Sequence, residues 1–161
     1  MDETGPGSGA PTIADLEEQE RILVLPTADL VSLHALGARM YDDAVARGLP
    51  LTIQVRVGER LVYSAGAPGS AAINDHWASR KARVVHLFEQ SSLLVRLAHE
   101  QDGVSFDEKH RLGDRYAAYG GAFPLRVRGA GFVGSVVVSG LPQVEDHAFV
   151  VRLLAEHLAG S

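Results

Sequence analysis

Two glycine-turned runs of alternating apolar residues limit this chain's fold more than any other feature. In the first, Leu51, Ile53, Val55 and Val57 alternate with Thr52, Gln54 and Arg56, the period of a half-buried strand. Gly58-Glu59 turns it, and residues 60–65 return antiparallel. In the second, residues 123–128 and 132–139 flank Gly129-Ala130-Gly131. With a brief strand at residues 22–25, this reading expects five strands. Hairpins instead of regular βαβ alternation make the sheet mostly antiparallel, with helices packed against it, an α/β chain of the α+β kind.

The string from Gly129 to Gly134 literally matches the dinucleotide fingerprint G-x-G-x-x-G. It is not one, because those glycines lead into the strand Ser135-Val-Val-Val-Ser139 and not into a helix whose N-terminus could meet a pyrophosphate. They make a hairpin and a close strand crossing. No Walker motif, HExxH or GxSxG is present.

The helices follow from apolar spacing and caps. Thr12 caps a short amphipathic helix, and Thr27 with Asp29 opens a longer one to about Arg47, closed by Gly48-Leu49-Pro50. A third helical segment runs from about Ala71 to Gln101 with a break at Ser91-Ser92. The last helix has Pro142 in its first turn and buries Val144, Ala148, Val151, Leu154, Ala155 and Leu158. Residues 1–11, rich in Gly and Pro, read as a disordered leader, and residues 12–161 as one domain.

A formal net charge of -5 argues against a nucleic-acid partner. The absence of cysteine removes disulfides, thiolate metal sites and cysteine nucleophiles. No apolar run is long enough for a membrane span and no secretory signal is visible, so the expected location is cytoplasmic.

The chemistry-bearing residues cluster in three stretches. On the third helical segment Trp77, Val84, Val85 and Phe88 share a face, and His76, Arg80 and Arg83 form the best cationic patch for a carboxylate or phosphate. Lys81 falls inside the apolar face. Its charge must snorkel to water, find a buried carboxylate or meet an anionic ligand. Ser139-Gly140-Leu141-Pro142, between a strand and a helix, is either an anion site or simply a cap and tight turn. Asp146 and His147 are adjacent, so they point about 100° apart on a helix and make no metal site alone. Asp146 reads as a cap. His147 acts only if a partner comes from elsewhere. Tyr116 and Tyr119 are either pocket or rim, and no pair among His86, His99, His110 and His157 has metal-ligand spacing.

Three segments carry a family resemblance: Asp75 to Phe88 followed by Ser91-Ser92, the string Tyr116-Ala-Ala-Tyr-Gly-Gly-Ala-Phe-Pro-Leu-Arg-Val, and Gly131-Phe-Val-Gly-Ser-Val-Val-Val-Ser-Gly-Leu-Pro-Gln-Val-Glu-Asp-His. Over roughly residues 15–158 the chain resembles the haem-degrading domain family, the GlcG/HbpS-like group, and most closely its small single-domain branch. The resemblance implies a profilin-like three-layer α/β/α sandwich that assembles into homo-oligomers, with some relatives associated with haem binding or breakdown. The resulting expectation is a small-ligand-binding oligomer, with haem or another carboxylate-bearing compound as candidate. Its ligand-binding set is Trp77, Arg80, Lys81, Tyr119, Gly120, Gly121, Phe123, Ser139, Asp146 and His147, with no metal site and no reaction assigned. The alternative is a non-catalytic structural or protein-interaction module.

Overall fold

The computed structural model describes residues 9–160. The leader expected at residues 1–11 lies mostly outside the described residues. Helix α1 (Ile13–Ile22) is capped by Thr12, whose hydroxyl accepts from the Asp15 N–H while the Asp15 carboxylate accepts from the Thr12 N–H. That reciprocal pair satisfies two of the donors every helix start leaves open. Helix α2 (Leu30–Arg47) starts later than the sequence suggests. Asp29 and not Thr27 is its cap, accepting from the Ser32 N–H at 2.9 Å. Gly48, in the left-handed region at φ 67°, ends it.

Strands β1 (Thr52–Val57), β2 (Arg60–Gly66), β3 (Ala122–Val127) and β4 (Gly131–Ser139) form one antiparallel sheet in the order β2-β1-β4-β3. The sheet has four strands and not five. Helix α1 extends through Ile22, and Pro26 cannot donate to a ladder, so residues 22–25 yield only a single parallel bridge from Leu25 to Val127. Gly134 does permit the close crossing expected of it: a Cβ there would collide with the Arg56 carbonyl on β1.

Both faces of the sheet are covered, which gives the three layers. On one side Ile53, Val55, Phe123, Leu125, Val136 and Val138 pack against Leu33, Leu36 and Met40 of α2 and Val150, Leu153 and Leu154 of helix α6 (Gln143–Ala159). Each such aliphatic side chain, fully buried, contributes about 1.5–3 kcal/mol. On the other side Ala78, Ala82 and Val85 of helix α3 (Ala72–Phe88) lie on Ala122 and Val137. Small residues on α3 let the helix sit close. The second cover explains why Thr52 and Gln54, read from sequence as the polar face of a half-buried strand, are themselves buried.

Past Phe88 the chain breaks at Glu89, a non-glycine residue at φ 56°, and resumes as α4 (Ser92–Asp102) capped by the Ser91 hydroxyl. Two short elements then follow, α5 (Phe106–His110) and a single 3-10 turn, Gly113–Arg115. They bring Tyr116 and Tyr119 alongside α3, with the Ala117 N–H donating to the Arg80 carbonyl at 3.2 Å.

Candidate functional site

Lys81 points from α3 into the layer beneath it, and its side chain is fully buried. The ammonium donates to the carbonyls of Val138 at 2.8 Å and Gly120 at 3.0 Å, and to Asp146 Oδ2 at 3.1 Å. Three donors meet three acceptors. Of the outcomes open to this lysine, the buried carboxylate is the one realised.

Asp146 lies in the first turn of α6 and reaches back, accepting from the Leu141 N–H at 3.0 Å through Oδ1 and also from the Gly140 N–H. The N–H groups at the Ser139-Gly140-Leu141-Pro142 bend are therefore taken by the chain's own carboxylate, and the cap-and-turn reading of that stretch holds. Burial pushes the Asp146 carboxyl up to about 6, opposed by Lys81 and the two backbone donors, and burial lowers the Lys81 ammonium. At neutral pH the pair is ionised, as the full complement of acceptors around the ammonium requires.

The glycines make room for this node. Gly121 has φ 130°, and a Cβ on it would press against the Lys81 ammonium and the Val138 carbonyl. Gly120 donates its N–H to Gln143 Oε1 at 3.1 Å, tying the bend to the start of α6.

The sequence-derived set thus gathers around one bend, but at different depths. Lys81, Gly120, Gly121, Phe123, Ser139, Asp146 and His147 are buried. Trp77, Arg80 and Tyr119 are the members partly open to solvent. His147 finds its partner in another element, with Nε2 2.7 Å from Gln19 Oε1 of α1. The amide oxygen can only accept, so Nε2 carries the proton and Nδ1 is left buried without a partner. Burial pushes this imidazole down to about 4, and it is neutral at pH 7.

At the open margin, cations and rings alternate. The Arg80 guanidinium lies 4.3 Å from the Trp77 ring centre, Trp77 meets Tyr119 edge-on at 5.6 Å, and Arg96 lies 4.4 Å over Tyr119. Arg80 Nε is buried with no hydrogen-bond partner among the described residues. Beside Trp77 a hollow of about 350 Å³ is walled by Ile73, Ser139, Leu141 and Pro142.

A larger cleft, about 490 Å³, opens on the neighbouring face of α3. Arg56, Arg83 and Arg115 line it together with Ser79, His86, Tyr116 and, at the β1–β2 turn, Glu59. Arg56 is held by Gln54 Oε1 at 2.6 Å and Ser79 Oγ at 3.4 Å, and Arg83 donates to the Arg115 carbonyl at 3.1 Å. His86 Nε2 is 2.8 Å from Ser135 Oγ on β4. Sequence reasoning placed Arg83 with His76 and Arg80 in one patch and missed the rest. The chain instead splits that patch, with Arg80 on the aromatic margin and Arg83 in the cleft. A signal existed: Arg56 lies in a strand with an apolar neighbour on either side, two residues from the buried Gln54.

The HbpS-like haem-degrading protein model matches residues 29–155. A UPF0303 protein of Streptomyces avermitilis is 47% identical over 149 residues, covering 92% of this chain and 91% of that one. Among solved structures, Ybr137w superposes with a TM-score of 0.85 at 24% identity, over 94% of this chain and 90% of that chain. A PduOC–haem complex superposes with a TM-score of 0.68 at 16% identity, over 80% and 94%. At such identities the two structures share the fold with this chain.

Proposed function

The chain belongs to the HbpS-like haem-degrading family, and we propose that within it this protein is an oligomeric binder of a flat, carboxylate-bearing small molecule, with haem as the candidate. The observation that carries the reading is the alternation of Arg80, Trp77, Tyr119 and Arg96 at the open margin of the Gly120–Gly121 bend. Ring faces and edges suit a planar ligand, and guanidinium groups suit its carboxylates. The residues fit haem in that sense: Trp77 and Tyr119 would take the macrocycle and Arg80 a carboxylate, while Arg96, paired with Glu100, would hold the Tyr119 ring. A bound haem would supply its own iron chemistry, and no turnover is assigned to this chain. The buried members of the set, Lys81, Gly120, Gly121, Phe123, Ser139, Asp146 and His147, act from beneath as a rigid seat. That a protein of the same fold was crystallised as a haem complex supports the choice of ligand.

Self-association is part of the proposal. Val31 is 82% exposed, Leu30 beside it 50% and Ile73 at the hollow 58%, apolar surface that a second copy would cover. Two measurements test the reading. Haemin titration followed in the Soret band should give a saturable shift in the wild type that weakens about tenfold in Trp77→Ala and in Arg80→Ala. A linear, unsaturable response, or a shift identical in both variants, would remove haem from this margin. Light scattering of the purified protein should give a mass above one chain.

A further inference from the structure

The cleft on the other side of α3 carries a chemistry that the aromatic margin does not. Arg56, Arg83 and Arg115 bring three guanidinium groups to its walls. Among the described residues no carboxylate lies within ion-pair distance of any of them. Several arginines elsewhere are neutralised locally: Arg152 by Asp43 at 2.8 Å, Arg126 by Glu20 at 3.2 Å, Arg96 by Glu100 at 3.0 Å. Arg80 at the aromatic margin likewise has no ion pair among the described residues, but the cleft brings three such guanidinium groups into one concavity.

Arg56 is also only partly exposed, and burial followed by repulsion from Arg83 pulls its guanidinium down from the ordinary range. Like charges facing one another across a concave wall cost free energy in the empty protein, and a counter-anion returns it. The neutral groups around them are hydrogen-bonding ones. Ser79 offers a hydroxyl, and His86, which burial holds below its usual range, offers an uncharged imidazole. Glu59 is the one acid lining the cleft, set in the turn that closes one end.

We propose that the cleft between α3, the β1–β2 turn and the Arg115–Tyr116 segment is a binding site for a phosphate-bearing small molecule. A phosphate monoester or diphosphate presents three or more acceptor oxygens over a small volume, enough for forked pairs with three guanidinium groups. A carboxylate's two oxygens cannot form a forked pair with each of the three. The cleft's volume falls within the range of small-molecule sites, and Tyr116, Ala82 and Leu87 supply apolar wall for the rest of the ligand. This site is independent of the haem reading, since it uses none of the residues of the aromatic margin.

The test is calorimetric titration of the full chain with pyrophosphate and with inorganic phosphate at constant ionic strength, with succinate and sulfate as comparison arms. Wild type should bind pyrophosphate saturably with a weaker or undetectable response to succinate, and affinity should fall as salt is raised. Arg83→Ala should weaken pyrophosphate binding about tenfold or more, and Trp77→Ala should leave it unchanged. Arg115 is exposed, so Arg115→Glu tests the same cleft with the fold intact should Arg56→Ala prove unstable. Failure of wild type to saturate, succinate binding as tightly as pyrophosphate, or equal affinity in Arg83→Ala and Arg115→Glu would each overturn the proposal. Haemin displacing pyrophosphate would overturn it as well, assigning the cleft to the carboxylate-bearing ligand.

Discussion

The Lys81–Asp146 node and the Arg56–Arg83–Arg115 cleft are two groups of charge that share one helix, and they differ in what their cations have to bond to. At the node a fully buried ammonium has one acceptor for each of its protons, and the acceptors include a carboxylate held in turn by backbone N–H groups. At the cleft, guanidinium groups lie against carbonyl, amide and hydroxyl oxygens, and the one acid lining it, Glu59, makes no ion pair with them. Internal satisfaction marks a group that holds the fold together. Charge left without a countercharge in a concavity marks a place where the fold is prepared for something else. Burial alone would have ranked the two sites the other way round.

The contrast predicts that substitutions at the two sites act on different observables. Lys81→Met, close to isosteric, should cost about 3–5 kcal/mol in urea denaturation, because it strands a buried carboxylate. The double substitution Lys81→Met with Asp146→Leu should recover part of that loss. A single-variant cost under about 1 kcal/mol would mean that water reaches the node, and the contrast with the cleft would be lost.

The next largest effect comes from His147, just below the node. Its folded-state imidazole is pushed down to about 4 from an ordinary 6.5, so the unfolded chain takes up the proton first as pH falls. Stability from this residue is complete above pH 6.5 and is lost between there and pH 4, amounting to about 3 kcal/mol. Asp146 acts in the opposite sense. With its folded carboxyl raised to about 6 from 3.8, the folded chain is protonated first, so its contribution is present at low pH and fades as pH rises across that window. Comparing wild type with His147→Gln across pH 4–7 cancels the Asp146 contribution. The difference should grow toward pH 7 in favour of wild type, and a flat difference would show that the imidazole is hydrated.

The smallest effect is expected at the cleft. Arg83→Ala should change stability by no more than about 0.5 kcal/mol, and in the stabilising direction if relief of repulsion on Arg56 exceeds the lost contact with the Arg115 carbonyl. A destabilisation as large as that of Lys81→Met would make Arg83 a structural residue and erase the distinction between the sites.

Much of the architecture was readable because it is local. The period-two runs, the glycine turns, the Thr12 cap and the helix break by Ser91-Ser92 lie within a few residues of what they specify. The fifth strand failed because a four-residue apolar run next to a proline cannot be told by pattern alone from a single bridge. Lys81 stood out as a charge on an apolar helical face, yet its carboxylate lies 65 residues away, which no spacing rule reaches. The cleft was least legible. Its arginines come from a strand, a helix and a short turn, and each is unremarkable in its own segment. Likewise the spacing of His99 and His110 gave no hint of a pair, but α5 brings their Nε2 atoms to 2.8 Å.

One consequence follows from Lys81 and Arg83 standing two residues apart on α3. The ammonium is clasped from three directions, so the helix can neither roll about its axis nor slide along the sheet without breaking the clasp. The row formed by Ser79, Arg83 and His86 is thereby set in azimuth before any guest arrives. An incoming anion meets cations whose backbone ordering was incurred when the chain folded, so that entropic cost falls on synthesis and not on association.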